Sequence, residues 1–245
     1  RGPQVRIEQV RFGDLFPSRL GHYARHPLGK ITLRNDGDEE SRDARVTIDL
    51  GELSGGAQTL RAPPIAPGAR VEVALIVVLE RQRLLEVSQR RPIRAELTTS
   101  SGESRDRVTE PLVLWDRNAL DWGQSDSVAA FVTPKDPTLL AFAQDAGRVD
   151  APELPVAVRA AAQQFDALVA HGVRYARDPL SPYGERAIDS VQFGRETLAR
   201  KLGDCDDLAV LYAGLIEASG REARLLLTPG HILVGVDTEL TAAQA

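Results

Sequence analysis

The sequence predicts two domains of different texture: an all-β sandwich over residues 1–115 and an α+β domain over 128–245, with 116–127 as the linker. Three observations carry this. Short runs of alternating apolar and polar residues, separated by turn clusters, fill the first half. Apolar residues at helical spacing dominate the second. A chain of 245 residues has room for two domains that each bury a core.

In the first half, Val5-Arg6-Ile7, residues 29–33, residues 45–50, the longer apolar run at 71–79, residues 93–97 and residues 108–115 read as strands. Asn35-Asp36-Gly37-Asp38, Ser54-Gly55-Gly56, Ala66-Pro67-Gly68 and Ser100-Ser101-Gly102 supply turns. About seven short strands with polar turns argue an antiparallel sandwich of immunoglobulin-like type. It lacks the Cys…Trp…Cys core of antibody domains. Residues 81–89 are the exception, where Leu84, Leu85 and Val87 suggest a short helical turn.

The composition, 42% hydrophobic and 27% charged, is that of a globular chain. A net charge of −5 offers no basic footprint for nucleic acid. The longest apolar run, residues 73–79, falls far short of the roughly 20 residues of a membrane helix. A single cysteine excludes an internal disulfide framework and any Cys-rich metal site. Without methionine and starting at Arg1, the sequence reads as a mature chain or excised piece.

In the second half, Pro137 opens a short helix, residues 137–146. Residues 155–170 place Val158, Ala161, Ala162, Phe165, Leu168 and Val169 on one face, and His171-Gly172 end that helix. A proline-containing loop follows at 177–184. Gly203-Asp204-Cys205-Asp206-Asp207 then opens a helix in which Leu208, Leu211, Tyr212, Leu215 and Ile216 share a face. Asp204 is the N-cap, and Asp206 and Asp207 complement the helix dipole.

Cys205 thus stands at the first helical position, where free N–H groups favour a thiolate and an oxyanion. Neighbouring carboxylates oppose the thiolate. A base is also needed. The helix measures about 22 Å and a strand over 222–228 about 23 Å. If that strand runs back along the helix, Thr228-Pro229-Gly230 brings His231 level with Cys205.

Glu196-Thr197-Leu198, residues 203–211 and Pro229-Gly230-His231-Ile232-Leu233-Val234 resemble the bacterial transglutaminase-like superfamily, whose domains are papain-like α+β folds. The resemblance implies that Cys205 is the nucleophile, His231 its base, and a protein or peptide amide the substrate, with a thioester intermediate and no cofactor. Hydrolysis, as in a peptidase or amidase, is preferred over cross-linking, which needs an amine site that excludes water. The family's Asp or Asn that orients the histidine is missing. Asp237 lies six residues on, roughly 20 Å by strand rise. The expectation is therefore a domain truncated at its C-terminus, one strand short of a triad. A sandwich before such a domain suggests an extracytoplasmic protein.

Gln192 is a candidate oxyanion donor, and Asp204 and Asp206 are candidate supporting residues. No metal is expected: capping accounts for the acids, and His22 and His26, four apart, sit beside Gly21 and Pro27 in a loop setting. Tyr175, Tyr183 and Phe193 either line a cleft or pack, and Trp115 and Trp122 flank the linker. The rival reading is a non-catalytic interaction module of a larger surface or envelope protein.

Overall fold

The computed structural model describes residues 2–177, 188–238 and 240–241. They form a mixed α+β structure, mostly β-sheet with several helices, that splits into two compact units, Arg1–Arg117 and Asn118–Ala245.

The first unit holds strands β1 (Val5–Phe12), β2 (Gly29–Asn35), β3 (Arg45–Asp49), β4 (Gln58–Arg61), β5 (Arg70–Leu75), β6 (Arg91–Ser101) and β7 (Ser104–Leu114), with short helices α1 (Leu20–Tyr23) and α2 (Arg81–Leu85). These strands pair antiparallel, in a three-stranded sheet of order β1-β2-β5 and a four-stranded sheet of order β4-β3-β6-β7. The inward residues of both sheets, among them Ile31, Leu33, Val73 and Leu75 from one and Val46, Ile48, Leu97 and Leu114 from the other, belong to one apolar core. This is the period-2 alternation of half-buried strands carried into packing.

The strand expected over 71–79 ends at Leu75. Beyond it the backbone of Val78 is held by a side chain instead of a strand: Val78 N–H donates to Gln58 Oε1 at 2.9 Å and Gln58 Nε2 donates to the Val78 carbonyl at 2.7 Å. Strand β4 itself follows the Ser54-Gly55-Gly56 turn and carries no alternating apolar signal. His22 and His26 stack on each other at 4.1 Å between ring centroids. Among the described residues, no group of three or more His, Cys, Asp or Glu could hold a metal ion.

The second unit is built around α6 (Cys205–Ala218), most of whose residues are buried. Preceding it are β8 (Ala119–Asp121), a 3-10 segment (Trp122–Phe131), α3 (Pro137–Asp145), α4 (Val156–His171), β9 (Arg174–Tyr175), β10 (Ile188–Ser190), α5 (Gly194–Arg200) and β11 (Leu202–Gly203). After it come β12 (Ala223–Thr228) and β13 (His231–Val236), an antiparallel hairpin. At the hairpin turn Pro229 supplies a ring-locked φ and Gly230 takes φ +72°, the pairing that a type II turn demands.

Residues 116–127, expected as a linker, carry β8, which pairs with β10, and the start of the 3-10 segment. Trp122 Nε1 donates to Asp189 Oδ2 at 2.9 Å, tying that polar stretch to its own unit. The buried face of α4 also differs from the expected one. It is Ala157, Ala161, Gln164 and Leu168, whereas Phe165 and Val169 are 56% and 60% exposed. Steps of four, three and four residues define that stripe as well as the apolar set does. Gln164 is accepted there because its Nε2 donates to the Ala143 carbonyl at 3.1 Å. At the end of the chain, β13 pairs with β12 alone among the described residues.

Candidate functional site

The start of α6 is set by reciprocal capping. Asp207 N–H donates to Asp204 Oδ1 at 3.3 Å, and Asp204 N–H donates to Asp207 Oδ2 at 3.4 Å. Asp207 also accepts from Gln192, through the backbone N–H at 2.7 Å and through Nε2. Only glycine fits at position 203 without a shift: a Cβ on Gly203 would stand 2.7 Å from the Asp207 Cβ and 3.2 Å from Thr197 Cγ2.

Cys205 follows the cap as the first helical residue and is 6% exposed. It shares an apolar cluster with Phe131, Val191, Ala209, Val210 and Ile232, against which Phe193, Leu225 and Val234 also pack. The cluster joins α6 to the hairpin, so the strand after α6 does run back along it.

His231 opens β13, opposite Thr228. Its neighbour Ile232 lies in the same apolar cluster as Cys205. Alternation along the strand then matters: Ile232 and Val234 face α6, so His231 shares the other face with Leu233 and with Leu226 across the pair. The imidazole is exposed, and among the described residues it has no hydrogen-bond partner. Chain lengths predict proximity of backbone, and the period of two decides which way the ring points.

Gln192 is engaged elsewhere than with an oxyanion. Its Nε2 donates to Asp207 and, at 3.3 Å, to the Leu202 carbonyl. Asp237 forms an ion pair with Arg224 at 3.6 Å. Phe193 packs on Phe131 with ring centroids 5.1 Å apart, Tyr175 is exposed, and Tyr183 lies outside the described residues.

Asp206, a candidate supporting residue, is set apart by its burial. It is 1% exposed and lies against the Asp204 carboxyl. Burial first, then the adjacent Asp204 carboxyl and the charge of Asp189, push its pKa up to about 9. It is therefore a neutral acid at pH 7. Burial also raises Asp207, against which the Gln192 hydrogen bonds act. Asp189 is buried as well and accepts from Trp122 Nε1 and from Ser190 N–H at 2.8 Å. Nothing in the spacing of Ile188-Asp189-Ser190 marks it in advance, since the fold alone brings it to Asp206.

No family model matches the chain, and no curated protein matches it. Among solved structures it is similar to a late embryogenesis abundant protein (10% identity, 46% of this chain and 72% of the other, TM-score 0.29) and to the ligand binding region of serine-glutamate repeat protein A of Enterococcus faecium (8%, 44% and 90%, TM-score 0.23). A family 76 glycoside hydrolase from a bovine Bacteroides thetaiotaomicron strain is similar at 8% identity over 61% of this chain and 26% of the other, with TM-score 0.20. At these TM-scores the likenesses carry no functional argument.

Proposed function

We propose that the second unit performs thiol-dependent amide-bond chemistry, with Cys205 as nucleophile and His231 as base, on a protein or peptide substrate. In this reading the first unit is an immunoglobulin-like sandwich and the second a transglutaminase-like domain. The observation that carries it is the placement of Cys205 at a capped helix start, in one cluster with the residue beside His231. The imidazole takes the thiol proton and the sulfur attacks the carbonyl carbon. The amine leaves with that proton, giving a thioester, and water then releases the carboxylate and restores the thiol. Catalytic hydrogen bonds commonly tighten only when substrate binds. His231, at the hairpin corner, has to turn toward α6 for this chemistry.

The test is the rate of Cys205 alkylation by iodoacetamide across pH, in the parent chain and in His231→Ala, with circular dichroism as the folding control. An inflection below the ordinary thiol value of about 8.5, moved upward in the variant, is the expected result. Identical profiles would overturn it.

The second reading is a non-catalytic interaction module. It is favoured by the exposed His231 ring and by the engagement of Gln192 with Asp207. Identical alkylation profiles are what it expects.

A further inference from the structure

A groove of about 410 Å³, whose lining does not include Cys205, opens between the 3-10 segment, α6 and β12. Its floor is apolar, with Val128, Val132, Leu225 and Leu227. Among the described residues its lining includes two carboxylates, Asp126 and Glu217, and no cation. Neither acid has an ion-pair or side-chain hydrogen-bond partner among the described residues.

The groove adjoins a strand edge. β12 pairs only with β13 among the described residues. Because the two-residue turn makes Thr228 and His231 the closing pair, the backbone groups of Leu227, Leu225 and Ala223 point outward from the hairpin. These same three residues line the groove. One set of residues thus presents both outward ladder groups and apolar side chains, with acids alongside.

We propose that this edge binds an extended peptide segment by strand addition, with apolar side chains entering the groove and basic ones meeting Asp126 and Glu217. Charge complementarity selects the partner: an acidic segment would face two unneutralised carboxylates. Strand addition at β12 is independent of the chemistry proposed for Cys205.

The probe is a fluorescein-labelled peptide of sequence lysine-threonine-valine-threonine-valine-threonine-lysine, in which lysines and valines share one face. Its binding to the full chain is followed by anisotropy. Binding that weakens with salt, and about tenfold in Asp126→Asn/Glu217→Gln, supports the proposal. Leu227→Pro removes an outward N–H without touching the β13 ladder, and it should abolish binding with an unchanged circular dichroism spectrum. Equal binding of the peptide with glutamates for lysines, no binding of either peptide, or indifference to the double substitution would overturn it. So would a dimer in sedimentation that Leu227→Pro dissociates, which would assign the edge to a second copy.

Discussion

Asp207 holds Gln192 by both of its amides, the backbone N–H donating to Oδ1 and the side-chain Nε2 to Oδ2. Since Asp207 also closes the cap of α6, one buried carboxylate joins the segment before α5 to the helix that carries Cys205. Asp207→Ala strands the Gln192 backbone N–H, leaves Nε2 only the Leu202 carbonyl and removes half of the capping box. Chemical denaturation should show a loss of about 2–4 kcal/mol, against about 1 kcal/mol for Asp204→Ala. Gly203→Ala should also destabilise, by about 1–3 kcal/mol, because the added Cβ meets the Asp207 Cβ at 2.7 Å. Equal losses for the two aspartate variants would contradict this assignment.

Asp206 predicts the slope of stability with pH. Its folded pKa, raised to about 9, exceeds the unfolded value of about 3.9. Between those values the folded state binds the extra proton, so stability falls as pH rises through the window and levels off above it. Asp206→Asn removes its share: the variant should gain on the parent between about pH 5 and 8, in thermal melts at each pH. A constant difference across that range would refute the assignment.

Asn35 is fully buried and satisfies its whole amide. Oδ1 accepts from Gln4 N–H and Gly37 N–H, each at 3.0 Å, while Nδ2 donates to the Glu39 carbonyl at 2.7 Å and the Ile65 carbonyl at 3.0 Å. Asn35→Ala takes the partner from the Gln4 and Gly37 N–H groups and the Glu39 carbonyl, while the Ile65 carbonyl keeps Ser41 N–H, and should cost about 3 kcal/mol or more. Asn35→Asp sets a carboxylate against two carbonyls, so its loss should shrink at acidic pH, where a protonated acid can donate. A pH-independent loss in calorimetry would show that geometry, not charge, governs the site.

Asn35 also illustrates what was legible in sequence. Its place in Asn35-Asp36-Gly37-Asp38 marks a turn, but not the carbonyl of Ile65, thirty residues on, which only the fold brings to it. Strand alternation and the helix from Cys205 were readable because each depends on local period and caps. The buried Asp189 and the true face of α4 depend on partners far along the chain. His231 falls between: the turn before it was readable from Thr228-Pro229-Gly230, while its pairing and the direction of its ring followed from the register of β12 against β13.

Burial, rather than the presence of a polar contact, should rank the remaining interactions. Trp122 Nε1 donates to Asp189, a buried carboxylate, at 2.9 Å, whereas Lys30 and Glu72 form an ion pair of 2.6 Å with both side chains about half exposed. Water competes for the second pair more than for the first, whose acceptor is buried. Trp122→Phe keeps most of the ring and should cost about 1–3 kcal/mol, because the buried Asp189 Oδ2 loses this donor while Oδ1 keeps Ser190 N–H. Lys30→Ala should change stability by less than about 1 kcal/mol, and less still in high salt. Urea titrations of both variants decide it: a larger loss for Lys30→Ala would mean that the shorter contact, not the drier one, governs stability.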